Sequence, residues 1–293
     1  NCMLCPRECG ADRTRGFGAC KVGNTITAAR AALHMWEEPC ISGEEGSGAV
    51  FFSGCNLGCV YCQNREIALG HSGRTITQDR LCEIYMELQE KKANNINLVT
   101  AGHYLPIVIE SIKKARKNGL TIPIVYNSSG YEKVEAIEAL NGIVDIFLPD
   151  FKYISSEMAA RYSNAPDYPE VAKRALAQMV KQTGEAKFDE RDMMKRGVIV
   201  RHLILPGHIK ESKKAIRYLY ETYGDQIYIS IMNQYTPMPG IEKRFKNLGR
   251  TITQREYDEV VDYAVDLGVE NGFIQEGETA KESFIPQFDD TGL

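Results

Sequence analysis

Cys55, Cys59 and Cys62 form a C-x3-C-x2-C run within residues 52–64 (FSGCNLGCVYCQN), with Gly54 and Gly58 spaced among them. Three thiolates on one glycine-bearing loop can wrap a single metal centre, and thiolates favour zinc or iron–sulfur clusters. Three ligands are one short of the closed shell of structural zinc. On a 4Fe-4S cluster the same shortfall leaves one iron open to a substrate. A zinc knuckle completed by a distant His71 or His103 is the competing reading of this spacing. A second set, Cys2, Cys5, Cys9 and Cys20, reads C-x2-C-x3-C-x10-C and supplies four ligands. Zinc and 4Fe-4S both fit it, although the spacing matches neither a ferredoxin run nor the paired motifs of a zinc ribbon. Of the nine cysteines, Cys82 falls in a helical pattern as a small buried hydrophobe. Cys40 receives no role. An odd cysteine count without a secretory signal points to ligands rather than a disulfide framework.

The elements that must position these thiols follow from pattern. The chain has 293 residues, a net charge of −4, 43% hydrophobic and 25% charged residues. That composition suits a soluble globular protein and argues against a disordered chain. It also lacks the overall basic field of a nucleic-acid binder. No apolar run approaches the roughly 20 residues of a membrane span, and no apolar signal-peptide core opens the sequence. A cytoplasmic location is the expectation. Residues 1–40 read as a cysteine-rich metal knuckle and leader, with 25–40 a possible hairpin, and residues 41–293 as the main domain with a C-terminal tail. Short β-branched apolar runs occur at 49–53, 96–100, 122–126, 143–149, 197–205 and 226–232. Such runs suit parallel strands buried on both faces. Helical patterns lie between them at 78–92, 104–118, 131–140, 167–183 and 210–223, and a last one at 253–268. Thr77 is placed to cap the first of these helices, and Thr253 with Glu256 to form a capping box on the last. Gly119 and Gly268 follow helices where a C′ glycine belongs. The alternation predicts an α/β fold, an open or partial barrel ahead of a doubly wound sheet. Either fold gathers its ligands at the C-terminal ends of the strands, where the cysteine loop falls.

The 52–64 stretch resembles the cluster loop of the radical S-adenosylmethionine (SAM) superfamily. CPREC near the start, EEPCISG at 37–43, GSGAVFFSGCN at 46–56 and the tail at 273–288 are similar to homologues of pyruvate formate-lyase activating enzyme, the PflX-like proteins. The resemblance spans nearly the whole chain. It implies a partial (β/α)6 barrel with a small N-terminal cysteine-rich extension. It further implies a 4Fe-4S cluster on Cys55, Cys59 and Cys62, with SAM chelating the fourth iron. One electron, from a donor such as flavodoxin or ferredoxin, then cleaves SAM to methionine and a 5′-deoxyadenosyl radical that abstracts hydrogen. The implied substrate is the glycine of a glycyl-radical enzyme. A small molecule or RNA substrate is the alternative enzyme reading, and a zinc-binding adaptor the non-enzymatic one.

The resemblance also directs attention to the remaining strand ends. Tyr61, inside the cluster motif, joins the cofactor-binding set. Thr100-Ala101-Gly102-His103 stands where the superfamily commonly carries Gly-Gly-Glu-Pro. The Thr100 hydroxyl, backbone oxygens around Gly102 and a neutral His103 can accept the SAM amino N–H bonds. A helix-start residue without a ligand is the plainer reading of His103. Asn127 and Ser129 lie in a polar turn that touches SAM in activating enzymes, often beginning there with Asp. A helix cap would explain the same turn. Asp150-Phe151-Lys152 resembles the Asp-x-Lys stretch near SAM, the two side chains pointing to one side of an extended segment. A surface ion pair is the alternative. Arg201 resembles an arginine that contacts SAM, its fork suiting a carboxylate, and Leu203 a backbone contact to adenine. Asn233 supplies an amide for the adenine edge or ribose. Glu37 and Glu38 read as a solvated pair at the mouth, and His202 as a residue of the opposite face.

Overall fold

The computed structural model of the chain describes residues 1–275 and 286–293, so residues 276–285 of the tail stretch lie outside the described residues. From the N-terminus run β1 (Thr27–His34), α1 (Pro39–Ser42), β2 (Ser47–Phe52), α2 (Arg65–Ala68), β3 (Arg74–Thr75), α3 (Gln78–Glu90) and β4 (Ile96–Val99). Next come α4 (Leu105–Lys117), β5 (Ile124–Ser128), α5 (Val134–Glu138), β6 (Ile146–Pro149), α6 (Ser156–Ser163) and α7 (Tyr168–Thr183). The rest is β7 (Lys187–Phe188), β8 (Met194–Leu203), α8 (Ile209–Tyr223), β9 (Tyr228–Met232), α9 (Gln254–Leu267) and β10 (Gly272–Ile274).

All six expected strands form, as β2, β4, β5, β6, β8 and β9. Every residue of β2, β4, β5 and β6 is buried, because helices cover one face and the barrel interior the other. The sheet order is β10-β9-β8-β6-β5-β4-β2-β1-β3, with β7 appended to β8. Every pairing from β10 to β2 is parallel. The sheet is open: its ends, β10 and β3, do not pair. This is the partial (β/α)6 barrel with an added strand. Its C-terminal strand ends therefore share one rim.

Local chemistry sets the helix limits. The Thr77 hydroxyl accepts the Arg80 N–H at 3.0 Å, and Leu81, Ile84, Tyr85 and Leu88 of α3 face the core. Thr253 and Glu256 form the capping box of α9, which Gly268 ends in the left-handed region. Two departures from the pattern have physical causes. The helix expected over 131–140 shrinks to α5, since Gly130 turns the chain at φ +75°, where a Cβ would meet the Asp150 carbonyl oxygen at 2.4 Å. Helix α6 escapes the periodicity, although Ser155 caps it by accepting the Met158 N–H at 3.3 Å. Residues 25–40 supply β1, antiparallel to β2 with Ala31 opposite Val50. The C-terminal residues return to this strand: the Ala31 N–H donates to the Thr291 carbonyl at 2.9 Å. No helix among the described residues is long and apolar enough to cross a membrane.

Candidate functional site

The cysteine loop leaves β2 at Ser53, whose own groups pin the exit. Its N–H donates to the Thr27 carbonyl at 2.8 Å, and its hydroxyl to the Ser72 carbonyl at 2.5 Å. Its carbonyl lies 2.7 Å from His103 Nε2. Burial drives the His103 ring down to about 4, against the pull of that carbonyl, and Arg13 lowers it further. The ring is neutral and its Nε2–H donates to Ser53. Gly54 follows at φ +92°, where a Cβ would strike the Cys20 carbonyl oxygen at 2.7 Å. Only glycine lets the loop lie this close to the N-terminal segment.

That segment grips the loop. The Cys55 N–H donates to the Cys20 carbonyl at 3.1 Å. Arg7 reaches the carbonyls of Asn56 (2.8 Å), Leu57 (3.0 Å), Ser163 (3.0 Å) and Asn164 (2.5 Å). Its guanidinium also sits 5.2 Å from the Tyr131 ring centre. One side chain thus ties the cysteine loop to the C-terminus of α6, where exposed carbonyls favour a cation.

Cys55, Cys59 and Cys62 line a cavity of about 260 Å³ at the rim of the sheet. Two of their sulfurs already receive donors. The Leu57 N–H points to Cys55 Sγ at 3.4 Å, and the Ser163 hydroxyl to Cys59 Sγ at 3.0 Å. Burial pushes the Cys62 thiol up to about 12 and raises Cys55 as well. A metal that takes these sulfurs as thiolates must therefore displace protons.

The cavity also collects Tyr61, Thr100, Asn127, Ser129, Asp150, Lys152, Arg201 and Leu203. Thr100 stands at φ +60°. A β-branched residue in that region is strained by about 1–3 kcal/mol, a cost tolerated chiefly at functional sites. Three proposed contacts fall elsewhere. His103 is spent on Ser53. Gly102 packs where a Cβ would lie 2.8 Å from both the Glu132 carboxylate and the Tyr126 hydroxyl. The Asn233 N–H is bonded to Gln275 at 2.8 Å, and it is Gln234 that reaches the cavity.

The charged residues of the cavity are engaged with one another. Arg201 donates from Nε to Asp150 (3.1 Å), from one terminal nitrogen to Glu37 (3.0 Å) and from the other to Asn127 (2.6 Å). Three of its five N–H groups are thus given to protein acceptors, which leaves one on each terminal nitrogen at the cavity it lines. Lys152 Nζ lies 2.5 Å from the other Asp150 oxygen. Burial would raise Asp150, but Lys152 and Arg201 together hold it below the ordinary carboxylate range. Glu37 lines the cavity as a member of this network and not as a solvated charge, its side chain 8% exposed, and Asn97 also donates to it at 2.9 Å. Glu38 is buried, and desolvation keeps its carboxyl above the usual range despite Arg201. Pattern reading missed Glu37 because Pro39 and the short α1 turn it inward, and nothing in its neighbours' hydropathy marks that turn. His202 faces away, its Nδ1 2.7 Å from the Phe151 carbonyl.

In the N-terminal segment Cys5 and Cys20 are buried, Cys2 is half-buried and Cys9 exposed. Among the described residues no three His, Cys, Asp or Glu side chains converge on a point that would hold one metal ion. The expected second metal centre, read as a single zinc ion, finds no support in this arrangement. For Cys55, Cys59 and Cys62 the same observation argues against a single zinc ion. A cubane is different, because each thiolate ligates a different iron and the sulfurs stay apart. A three-thiol loop with donors on two of its sulfurs and polar side chains beside it in the cavity fits such a cluster.

An open α/β barrel carrying a cysteine loop at the C-terminal rim of its first parallel strand defines the class. The Radical SAM superfamily profile matches residues 49–219, more than half of the chain, and the chain belongs to that superfamily. It is 28% identical over 270 residues to the uncharacterized protein MJ0674 of Methanocaldococcus jannaschii, covering 90% of this chain and 74% of that one. Among solved structures it is similar to Streptococcus suis SuiB bound to its precursor peptide SuiA, with TM-score 0.49 and 11% identity over 76% of this chain. It spans under half of SuiB, 46% of that chain. Methylornithine synthase (PylB) is similar at TM-score 0.45 and 12% identity, covering 75% of this chain and 68% of that one. Membership of the superfamily implies SAM and a 4Fe-4S cluster as the working groups.

Proposed function

We propose that this chain is a glycyl-radical-enzyme activase of the radical SAM class, with Cys55, Cys59 and Cys62 holding the cluster. The observation that carries this reading is the convergence of those thiols with Thr100, Asn127, Ser129, Asp150 and Lys152 on one cavity at the strand ends. When bound, the cluster and SAM supply a 5′-deoxyadenosyl radical that takes a hydrogen atom from the substrate, after one electron from a flavodoxin- or ferredoxin-like donor. The protein supplies binding, orientation and exclusion of side reactions.

Each wall has its own task. Lys152 keeps a fixed positive charge near the loop, which pulls the Cys55 and Cys62 thiols down against the larger effect of burial. The hydroxyls and amide of Thr100, Ser129 and Asn127 offer acceptors to the SAM amino group. Arg201 acts through Asp150, Glu37 and Asn127, locking three elements so that this polar wall is set before ligand arrives. Phe51, Phe52, Ile67 and Leu203 form the apolar side, which keeps water from a reactive radical. Trp36, 58% exposed, stands at the rim beside Glu37, where an extended glycine-bearing segment would enter.

The test is anaerobic reconstitution followed by metal counting and SAM cleavage. About four irons per chain, and 5′-deoxyadenosine that acquires deuterium from a Gly-deuterated glycyl-radical enzyme, are the expected results. Deuterium arriving only from a small molecule or RNA would replace the activase reading with the other enzyme reading. Zinc alone, or SAM cleavage surviving in Cys55→Ala/Cys59→Ala/Cys62→Ala, would sink the cluster assignment. Metal beyond the four irons would restore the N-terminal centre.

A further inference from the structure

From Cys59 a row of buried hydroxyls runs through Ser163 and Tyr153 to Tyr61 of the cavity wall. Ser163 is the last residue of α6 and 1% exposed. Its Oγ is 3.0 Å from Cys59 Sγ and 2.8 Å from the Tyr153 hydroxyl. The Tyr153 hydroxyl is in turn 2.7 Å from that of Tyr61. Neither Ser163 nor Tyr153 lines the cavity, so neither can touch a ligand there.

Each hydroxyl has one proton, and the sulfur has to receive one if the contact to Cys59 is a bond. Ser163 then gives its proton to Cys59, and the Tyr153 hydroxyl, which donates to Tyr61, also meets the Ser163 oxygen. The row is thus a contiguous chain of three buried hydroxyls ending on a cluster ligand. Chains of this kind polarise one another in a dry interior. The surroundings hold it still. Tyr153 is fully buried and packs edge-on against Tyr61 and Tyr168 at 6.5 and 5.4 Å. Arg7 meanwhile binds the Ser163 carbonyl.

We infer that Ser163, oriented by Tyr153 and Tyr61, is a positioning residue that sets the reduction potential of the cluster by hydrogen bonding to the Cys59 thiolate. This rests on the proposed radical SAM reading. Hydrogen bonds to the ligand sulfurs are among the terms that set such potentials. The step concerned is one-electron reduction by an external low-potential donor; the cluster gains the electron, the donor loses it, and no bond or proton moves. Added negative charge on the sulfurs strengthens the bond from Ser163, so the donor favours the reduced state. Removing it lowers the midpoint.

The test is an anaerobic redox titration of the full reconstituted chain, followed by EPR of the reduced cluster. Ser163→Ala should keep the iron content and cut the reduced-to-oxidised ratio at a given potential about tenfold, a midpoint ~59 mV lower. Tyr153→Phe should shift it the same way by less. Tyr162→Phe removes a neighbouring hydroxyl that is bonded to His208 instead, and should leave the midpoint unmoved. An unchanged midpoint in cluster-loaded Ser163→Ala overturns the inference. If that variant takes up no cluster, an unchanged midpoint in Tyr153→Phe overturns it instead. An unmodified chain that assembles no 4Fe-4S cluster overturns the underlying reading along with it; a cluster whose midpoint ignores these variants overturns this inference alone.

Discussion

Arg201, Asp150 and Lys152 are legible as a charged group at strand ends, because their spacing puts them on the rim of any parallel barrel. Their partners are not legible, since Glu37 and Asn127 come from segments far away in sequence. The network makes Asp150 the sensitive position. Asp150→Asn leaves two largely covered cations, their side chains 16% and 15% exposed, with one carboxylate fewer, and should destabilise the chain by about 2–4 kcal/mol in urea titration, somewhat below the cost of breaking a fully buried pair. The same group responds to pH with a definite sign. Its carboxyl is depressed by Lys152 and Arg201 against the effect of burial, so its contribution is present above the unfolded value near 3.9 and lost as pH falls through the lower folded one. His103 acts in a higher window. Burial lowers it to about 4, so the unfolded chain binds the proton first and stability falls as pH drops from about 6.5 to 4, by on the order of 3 kcal/mol. His34, lowered by burial and then by Arg201 and Arg30 to the same value, adds to the slope. His103→Gln, which preserves a donor to the Ser53 carbonyl, should flatten part of this dependence and leave a residue from His34. A slope unchanged by the substitution would contradict the assignment.

Among the elements, the loop after β2 and the N-terminal segment behave as one unit. Arg7 joins four carbonyls from the cysteine loop and from α6, and Gly54 lets the loop rest on the Cys20 carbonyl. Arg7→Ala should remove about 2–4 kcal/mol, at about 1.5–3 kcal/mol for each charge-assisted bond in isolation and less when several share one side chain. It should also speed iron loss from the reconstituted protein. Arg7→Lys should fail to restore either, because an ammonium cannot span four acceptors in a fork. Equal iron retention in Arg7→Ala and the parent would separate the segment from the cluster loop. The last helix offers a cleaner local check: Thr253→Ala breaks the capping box and should cost about 1 kcal/mol. That cap was readable from four residues of sequence, as was the Thr77 cap, because capping is a local bond. Helix α6 was not, since its few turns mix small, polar and aromatic side chains whose burial depends on β6, α7 and Tyr61.

In the whole molecule, the barrel is held open at both edges, and the C-terminal residues lie along β1. There Arg30 meets Asp289 at 2.9 Å. Gly292 sits at φ +79° where a Cβ would come within 2.0 Å of the Ala31 carbonyl oxygen. Gly292→Ala should release this segment, lowering the thermal midpoint by a few degrees and raising proteolytic cleavage near residue 290 without unfolding the sheet. Six strands, their parallel order and the placement of the cysteine loop at the rim were determined by the sequence alone. Continuous β-branched runs alternating with amphipathic helices leave few other ways to bury both faces. The metal-binding character of the cysteine loop was equally legible, since a three-cysteine spacing is a local property of one loop; the spacing left zinc and an iron–sulfur cluster open, and the resemblance to the superfamily chose between them. Only the tertiary structure decided that Glu37 joins the charged network, that His103 supports Ser53 instead of facing the cavity, and that Arg201 ties Asp150, Glu37 and Asn127 together. It alone brought Ser163 against Cys59, 104 residues apart in the chain. Those are long-range contacts, made by side chains whose orientation depends on packing between elements, and no periodicity along the chain encodes them.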